Sequence, residues 1–329
     1  MPEPSQQKLV EIIIPLFNEE HGVQSFHRAL SEVVTSLPYE FRFTYVNDGS
    51  SDGTQAQLEQ LYAADSRIRV VELSRNFGHQ AALSAGLDLA NADFVITMDG
   101  DGEHPPAMIP EMLRLAEDGV DIVIAQRMEE QKASWFKRWS SNAFYRMINR
   151  VGDTKIAPGA ADFRLITRSV LESLRKFHEY HRFLRGLFAW MGFRSELLPY
   201  TPGTRIAGRS KYSLRKMMNL AANAIFSFSL VPLYIAIGLG GLFLLLALIE
   251  AIYVLSFWIS GRQASLEPGW SSLMFILLIV GGTVMISLGF IGIYVGYIFQ
   301  EVKGRPPYLV RRLLDRPLPE STPTTIDTR

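Results

Sequence analysis

The sequence predicts an α/β domain on a mainly parallel sheet, followed by two membrane-spanning helices. Residues 9–125 alternate strand-like and helix-like segments, the rhythm of βαβ units. Each strand-like run ends in a polar loop, the place where open α/β sheets hold ligands. Two further runs, Leu230 to Ile259 and Leu273 to Phe299, are almost wholly apolar. Each exceeds the roughly 20 residues needed to cross a bilayer.

Taken in order, Leu9 to Phe17 (LVEIIIPLF) reads as a buried strand and Glu20 to Leu37 carries helical spacing. Phe41 to Asn47 is strand, Thr54 to Ala64 helix and Ile68 to Leu73 strand. Gln80 to Ala90 is helix, Phe94 to Met98 strand, Ala107 to Asp118 helix and Val120 to Ala125 strand. The loops between them are Asn18-Glu19-Glu20, Asp48 to Gly53, Ser74 to Gly78 and the turn from Asp99. Four such loops together frame a crevice of nucleotide size. There is no P-loop and no G-x-G-x-x-G, which removes the main support for kinase and dehydrogenase readings.

The last of these loops carries the strongest chemistry. In MDGDGEHPP, Asp99 and Asp101 stand two residues apart where a strand stops, with glycines between and after them. Hard carboxylate oxygens beside a nucleotide are ligands for Mg²⁺ or Mn²⁺, and a solvated acidic turn is the plainer alternative. An EF-hand does not fit, because His104 falls where that loop needs Gly and Pro110 where it needs Glu. Asp48, Ser50, Asp52, Gly53 and Glu59 match the calcium spacing better, but a strand-like run precedes them in place of a helix.

Composition narrows the class. The 329 residues suffice for one large domain plus spans, and 33 basic against 33 acidic residues leave a formal charge of zero. No global field points to nucleic acid. The absence of cysteine excludes disulfides and thiolate metal sites and is compatible with a reducing cytoplasm. Met1 to Lys8 is polar and runs straight into a strand, so no signal peptide is expected.

Beyond residue 126 the pattern changes. Trp135, Phe136, Trp139, Phe144 and Tyr145 are interleaved with cations, an amphipathic composition that favours a membrane interface over core. Arg205-Ile-Ala-Gly-Arg-Ser-Lys211 packs three cations around a Gly and a Ser, fit to clamp phosphate, with a basic membrane anchor as the alternative. Cations cluster before the first span and after the second, whereas Ser260 to Ser271 carries only Arg262 and Glu267. The positive-inside rule then puts both termini and the α/β domain in the cytoplasm. Glu250 lies in or near the end of the first span, and Gly289, Gly292 and Gly296 mark a helix-packing side of the second. The expected segments are an α/β domain over 1–212, an amphipathic juxtamembrane piece over 213–228, and spans over 229–260 and 272–299. The spans are separated by a short outer loop over 261–271, and a basic tail occupies 300–329, disordered from Pro317.

The combination of IIIPLFNEE, YVNDGSSDGT, LSRNFGHQAALSAGL, MDGDGEHPP, ADFRL, RIAGRSKY and two spans followed by KGRPPY resembles the family 2 glycosyltransferases. More narrowly, it resembles those that load a sugar onto a polyprenyl phosphate. It looks closest to bacterial polyisoprenyl-phosphate glucosyltransferases and is similar to dolichyl-phosphate mannose synthases. The resemblance implies a GT-A type fold, with Pro15, Asn18, Glu20, Asp48 and Asn76 around the nucleotide. Asp99 and Asp101 match the D-x-D that holds Mg²⁺ or Mn²⁺ on the donor diphosphate. Asp162 matches the acidic residue of D-F-R and is expected, with Asp101 and Arg164, at the catalytic centre. Arg127, Arg164, Arg205, Ser210 and Lys211 fall at phosphate-binding positions.

The implied partners are a nucleotide sugar, undecaprenyl or another polyprenyl phosphate, and a bilayer, with a homo-oligomer, a tetramer for instance, suiting the resemblance. The implied location is the bacterial plasma membrane. One departure stands out: Gly102-Glu103 replaces the common Leu-Gln after D-x-D, which bears on donor specificity. A processive polysaccharide synthase would carry Gln-x-x-Arg-Trp, which is missing, and a non-catalytic scaffold would not need Asp99, Asp101 and Asp162 intact.

Overall fold

A computed structural model describes residues 7–128, 160–180, 182–201, 231–261 and 269–316. One compact unit holds a mixed sheet with its helices, and another holds two long helices. Trp135, Phe136, Trp139, Phe144, Tyr145, the stretch 213–226, Arg262, Glu267 and the tail from Pro317 lie outside the described residues, as does the side chain of Glu250.

The expected α/β domain with a mainly parallel sheet is present. Strands β1 (Leu9–Leu16), β2 (Glu40–Asn47), β3 (Ile68–Leu73) and β4 (Phe94–Thr97) run parallel. Helices α1 (Val23–Val34), α2 (Thr54–Ala64) and α3 (His79–Leu89) cross between them. A 3₁₀ turn, Pro106–Met108, leads into α4 (Ile109–Glu117) and then β5 (Ile122–Arg127). There follow β6 (Ala160–Thr167), α5 (Arg168–Leu174), α6 (Leu184–Trp190) and β7 (Ser195–Tyr200). The long helices are α7 (Val231–Ile259) and α8 (Trp270–Val302), and β8 (Val310–Leu314) comes last. The sheet order is β7-β5-β6-β4-β1-β2-β3-β8.

Burial explains why the central strands read as apolar runs without alternation. Helices cover both faces, so Val10 through Leu16 of β1 are all buried. Glu11 is the exception in kind. Its carboxylate accepts from Thr44 Oγ1 at 2.5 Å, Arg69 Nη1 at 2.9 Å and the Asn91 amide at 3.1 Å, which satisfies a charge that burial would otherwise penalise.

The structure corrects several boundaries. The first helix starts three residues late because Asn18 adopts a positive φ of 56° and the Glu19 and Glu20 amides bond to Thr54 and Asp52. It ends before Pro38, whose ring disfavours helix in the residue ahead of it. The ADFRL motif forms β6, antiparallel between β4 and β5, and β7 is an edge strand with Pro199. The tail is not separate from the domain over its whole length, since β8 joins the sheet antiparallel to β3. The calcium reading of Asp48 to Glu59 fails, because β2 precedes it and both Asp48 oxygens face amide donors.

The apolar runs form α7 and α8, with Leu245, Ile252, Met285 and Phe299 among many aliphatic or aromatic side chains left exposed. Among the described residues, one segment, Ile279–Val302, is long and apolar enough to cross a membrane. A Cβ added at Gly289, Gly292 or Gly296 would meet nothing within 4 Å.

Candidate active site

The site forms where parallel strands stop. β4 ends at Thr97, and its antiparallel register with β6 pairs Thr97 with Arg164. Extending that register by two residues sets Asp162 across from Asp99. The Thr97 hydroxyl donates to the Asp162 carbonyl at 2.6 Å, closing the strand end. Alternation along β6 puts Asp162 and Arg164 on one face and Phe163 on the other. Phe163 stacks on His104 with ring centroids 5.0 Å apart, and His104 Nδ1 accepts the Asp99 amide at 2.8 Å. The turn after the strand is thereby fixed from below.

His79, the first residue of α3, enters between the two aspartates. Its Nε2 lies 3.3 Å from Asp162 Oδ2 and 3.7 Å from Asp99 Oδ1. Burial lowers its pKa, but the Asp162 hydrogen bond and the Asp99 and Asp162 charges outweigh that and raise it to about 9. The imidazole is therefore a cation at neutral pH. Arg185, on α6, grips Asp162 through Nε and Nη2, each at 2.9 Å. Burial alone would raise the Asp162 pKa, yet the Arg185 charge and the His79 bond hold it well below the usual carboxylate range. Gln80 Nε2 adds a longer contact at 3.4 Å.

Arg164 is buried, 3.4 Å from Asp162 Oδ1, with its guanidinium 4.7 Å from the Phe188 ring centre. Burial lowers its pKa to about 10, which leaves it protonated.

The predicted nucleotide residues gather on the loops after β1, β2 and β3. The Asn18 carbonyl oxygen of the side chain accepts the Ser51 amide at 2.9 Å, and Glu20 Oε2 accepts the Gly53 amide at 2.7 Å. Asp48 takes the Phe77 and Gly78 amides at 2.7 and 3.0 Å, which ties the second loop to the third. Burial raises its pKa against those bonds. Gly49 makes the tie possible. At φ +61°, a Cβ there would sit 2.3 Å from the Arg75 carbonyl carbon and 2.5 Å from the Asn76 nitrogen. Pro15 is buried within β1 and pairs with Val46, so it frames the loops from inside the sheet.

One phosphate candidate already has an acidic partner. Arg127, at the end of β5, pairs with Glu103 at 3.1 Å. Arg205, Ser210 and Lys211 lie outside the described residues. The Gly102-Glu103 departure acquires a structural reason. Gly102 has φ 86°, costly for Leu, and the Glu103 amide donates to Asp101 Oδ1 at 3.0 Å.

Among the described residues no three His, Asp or Glu side chains are arranged to hold a metal by themselves. Asp99 and Asp101 still fit Mg²⁺ or Mn²⁺ of the kind bound by one or two carboxylates and completed by substrate phosphate and water. Asp99 is partly exposed at the strand end, as such a role needs.

His79 and Arg185 escaped the sequence reading. His79 lies inside the LSRNFGHQAALSAGL motif and Arg185 among apolar residues in LRGLFAW, but neither spacing nor composition gives either one a role.

Known proteins resemble this chain over half of its length or more. The profile of Glycosyl transferase family 2 matches residues 11–175. A protein of Synechocystis sp., called uncharacterized glycosyltransferase sll0501, is 40% identical over 305 residues, 92% of this chain and 95% of its own. The SfII prophage-derived bactoprenol glucosyl transferase of Shigella flexneri is 33% identical over 307 residues, 92% of this chain and 97% of its own. Among solved structures, the mannosyltransferase PcManGT from Pyrobaculum calidifontis, in complex with GDP-Man and Mn²⁺, aligns over 92% of this chain and 89% of its own. At 18% identity and a TM-score of 0.46 the likeness is too loose to transfer a ligand.

Proposed function

Because this chain belongs to the family 2 glycosyltransferases, we propose that it moves glucose from UDP-glucose to undecaprenyl or another polyprenyl phosphate, with inversion, at the cytoplasmic face of a membrane. The observation that carries this reading is the pairing of Asp99, at the donor end of β4, with an Asp162 kept ionised by Arg185 and His79. A relative named as a bactoprenol glucosyl transferase supports the acceptor and the sugar.

The chemistry follows from charge. An oxygen of the lipid phosphate attacks the anomeric carbon, the bond from that carbon to the nucleotide diphosphate breaks, and the diphosphate leaves with the electron pair. Asp99 and Asp101 would hold Mg²⁺ or Mn²⁺, which when bound supplies positive charge against the one developing on the diphosphate. The acceptor phosphate has a second pKa near about 6, is largely ionised at neutral pH, and needs no strong base. Asp162 suits that chemistry, since a carboxylate with such a depressed pKa is a poor proton acceptor. Its part is to orient Arg185, His79 and Arg164 toward the phosphates. Arg205, Ser210 and Lys211 complete the phosphate set in this reading.

Two spans, α7 and α8, hold the site at the surface where the acceptor's head lies, with both termini cytoplasmic. Their exposed aliphatic side chains and the flanking cations support that arrangement. The open side at Gly289, Gly292 and Gly296 leaves room for a second copy, in keeping with a homo-oligomer such as a tetramer.

The test is transfer from labelled UDP-glucose, UDP-galactose, UDP-N-acetylhexosamines, modified UDP-pentoses and GDP-mannose to undecaprenyl phosphate, with Mg²⁺ or Mn²⁺ and an Asp101→Asn control. Labelling by UDP-glucose alone, lost in the control, supports the reading. Labelling by another donor replaces the sugar, and an α-linked product by NMR overturns the single displacement. No labelling by a folded, UDP-binding protein removes the acceptor.

A further inference from the structure

After the second long helix the chain returns to the sheet as β8, laid antiparallel on β3. The register slips once. Glu72 pairs with Arg312 and Leu73 with Val310, which leaves Arg311 as the extra residue of a β-bulge at the carboxyl end of β3. Bulges re-aim a side chain and cluster beside active sites. Here Arg311 Nη2 donates to the Ser74 carbonyl at 3.1 Å and Nη1 to Glu72 Oε1 at 3.3 Å. The Ser74 amide donates to the Leu309 carbonyl at 2.9 Å, so both backbone groups of Ser74 are held by the returning strand.

Ser74 opens the loop whose far end, Phe77 and Gly78, donates to Asp48, and whose middle, Arg75 and Asn76, presses on Gly49. Beyond β8, Asp315 anchors the strand to Arg69 at 2.9 Å and Arg42 at 3.6 Å, and Arg42 donates to the Arg316 carbonyl at 3.0 Å. The loop is thus fixed at one end by Asp48 and at the other by a strand that arrives from the opposite end of the chain.

We propose that Arg311 is a positioning residue for loop 74–78, holding it in the geometry that presents Asp48 and Asn76 to the nucleotide. This rests on the reading of that loop as part of the donor pocket. A loop already ordered by Arg311 gives up less conformational freedom when the nucleotide binds. In this proposal Arg311 acts through the Ser74 backbone.

The experiment compares the full-length protein with Arg311→Gln and Arg312→Gln. It measures UDP affinity by calorimetry, donor KM and kcat by transfer, and Tm. Arg312 is the matched control. It lies on the same strand and carries the same charge, but it reaches Glu72 and Glu59 and makes no bond to Ser74. Arg311→Gln is expected to weaken UDP binding about fivefold and raise donor KM in step, with kcat within about twofold of the parent. Arg312→Gln is expected to bind UDP as the parent does. A lowered Tm with unchanged UDP affinity in Arg311→Gln would reduce Arg311 to a structural contact and overturn the proposal. Equal weakening by both variants would assign the effect to strand charge and overturn it too. A folded parent that does not bind UDP sinks the donor reading, and this inference with it.

Discussion

Arg185 holds Asp162 with both arms of its guanidinium, Nε on Oδ1 and Nη2 on Oδ2, each at 2.9 Å. A bidentate pair of this kind fixes the orientation of both groups. It also decides the protonation state, since the Asp162 carboxyl is held well below its ordinary range against the effect of burial.

Asp162→Asn leaves Arg185 and Arg164 facing a neutral amide, and breaking a buried pair in this way costs about 3–5 kcal/mol. The sign of the pH dependence follows. A depressed carboxylate pKa stabilises the fold above the unfolded value of about 3.9, and that contribution fades as pH falls toward the folded value. From about pH 5 to 6 the melting curves of parent and variant should therefore stay a constant distance apart and converge in stronger acid. Above about pH 6.5 the gap narrows as pH rises, because the variant has lost the partner that keeps His79 protonated. Convergence on acidification already between about pH 7 and 6 would mean that Asp162 titrates there and is available as a base.

Asp99→Asn and Asp101→Asn test the donor end of the same site. Each should lower transfer by about 100-fold or more, while Tm changes little, because the carboxylates face charge that develops in the reaction. Chelation of divalent ions should reduce the parent to a similar rate, and added Mn²⁺ or Mg²⁺ should restore it. Full activity in chelator would remove the metal from the mechanism.

The sequence exposed the parts of this site that coincide with an abrupt change of pattern. Phe94 to Met98 is apolar and stops at Asp99, so the strand end and its carboxylates are visible together. Asp48 and Gly49 follow an equally clear strand. β8 was hidden because its residues, VRRLL, are basic and mostly exposed, with only one face and one edge engaged. Arg185 was hidden for the opposite reason, as a single cation inside an apolar helix. Its partner is 23 residues away, and only the fold brings Asp162 to it.

Gly49 and Gly78 separate two costs that a glycine can avoid. Both have positive φ, but a Cβ on Gly49 would run into the Arg75 and Asn76 backbone, whereas one on Gly78 meets nothing within 4 Å. Gly78→Ala should thus cost the conformational strain alone, about 1–3 kcal/mol. Gly49→Ala should cost more than Gly78→Ala and also weaken UDP binding, because the loops after β2 and β3 must part. Thermal melts and UDP titration of the two variants check this, and equal losses in both would show that the contact has no consequence.

His27 supplies a test of the domain away from the chemistry. Its Nδ1 lies 2.9 Å from the Tyr45 hydroxyl, its Nε2 3.4 Å from Asp65 Oδ2, and its ring meets Phe43 edge-on at 5.3 Å. Burial lowers its pKa, and the opposing pull of Asp65 does not restore the ordinary value. The unfolded chain therefore takes up this proton first as pH falls through about 6.5, and folding stability declines from that point until the folded state is protonated as well. In His27→Gln the decline from this group disappears, while His79 and the carboxylates titrate alike in both proteins. The melting curves of parent and variant, taken from pH 7.5 to 5, should accordingly draw together with acidification. Curves that run parallel would show that folded and unfolded chains bind this proton alike, so that the fold does not shift His27.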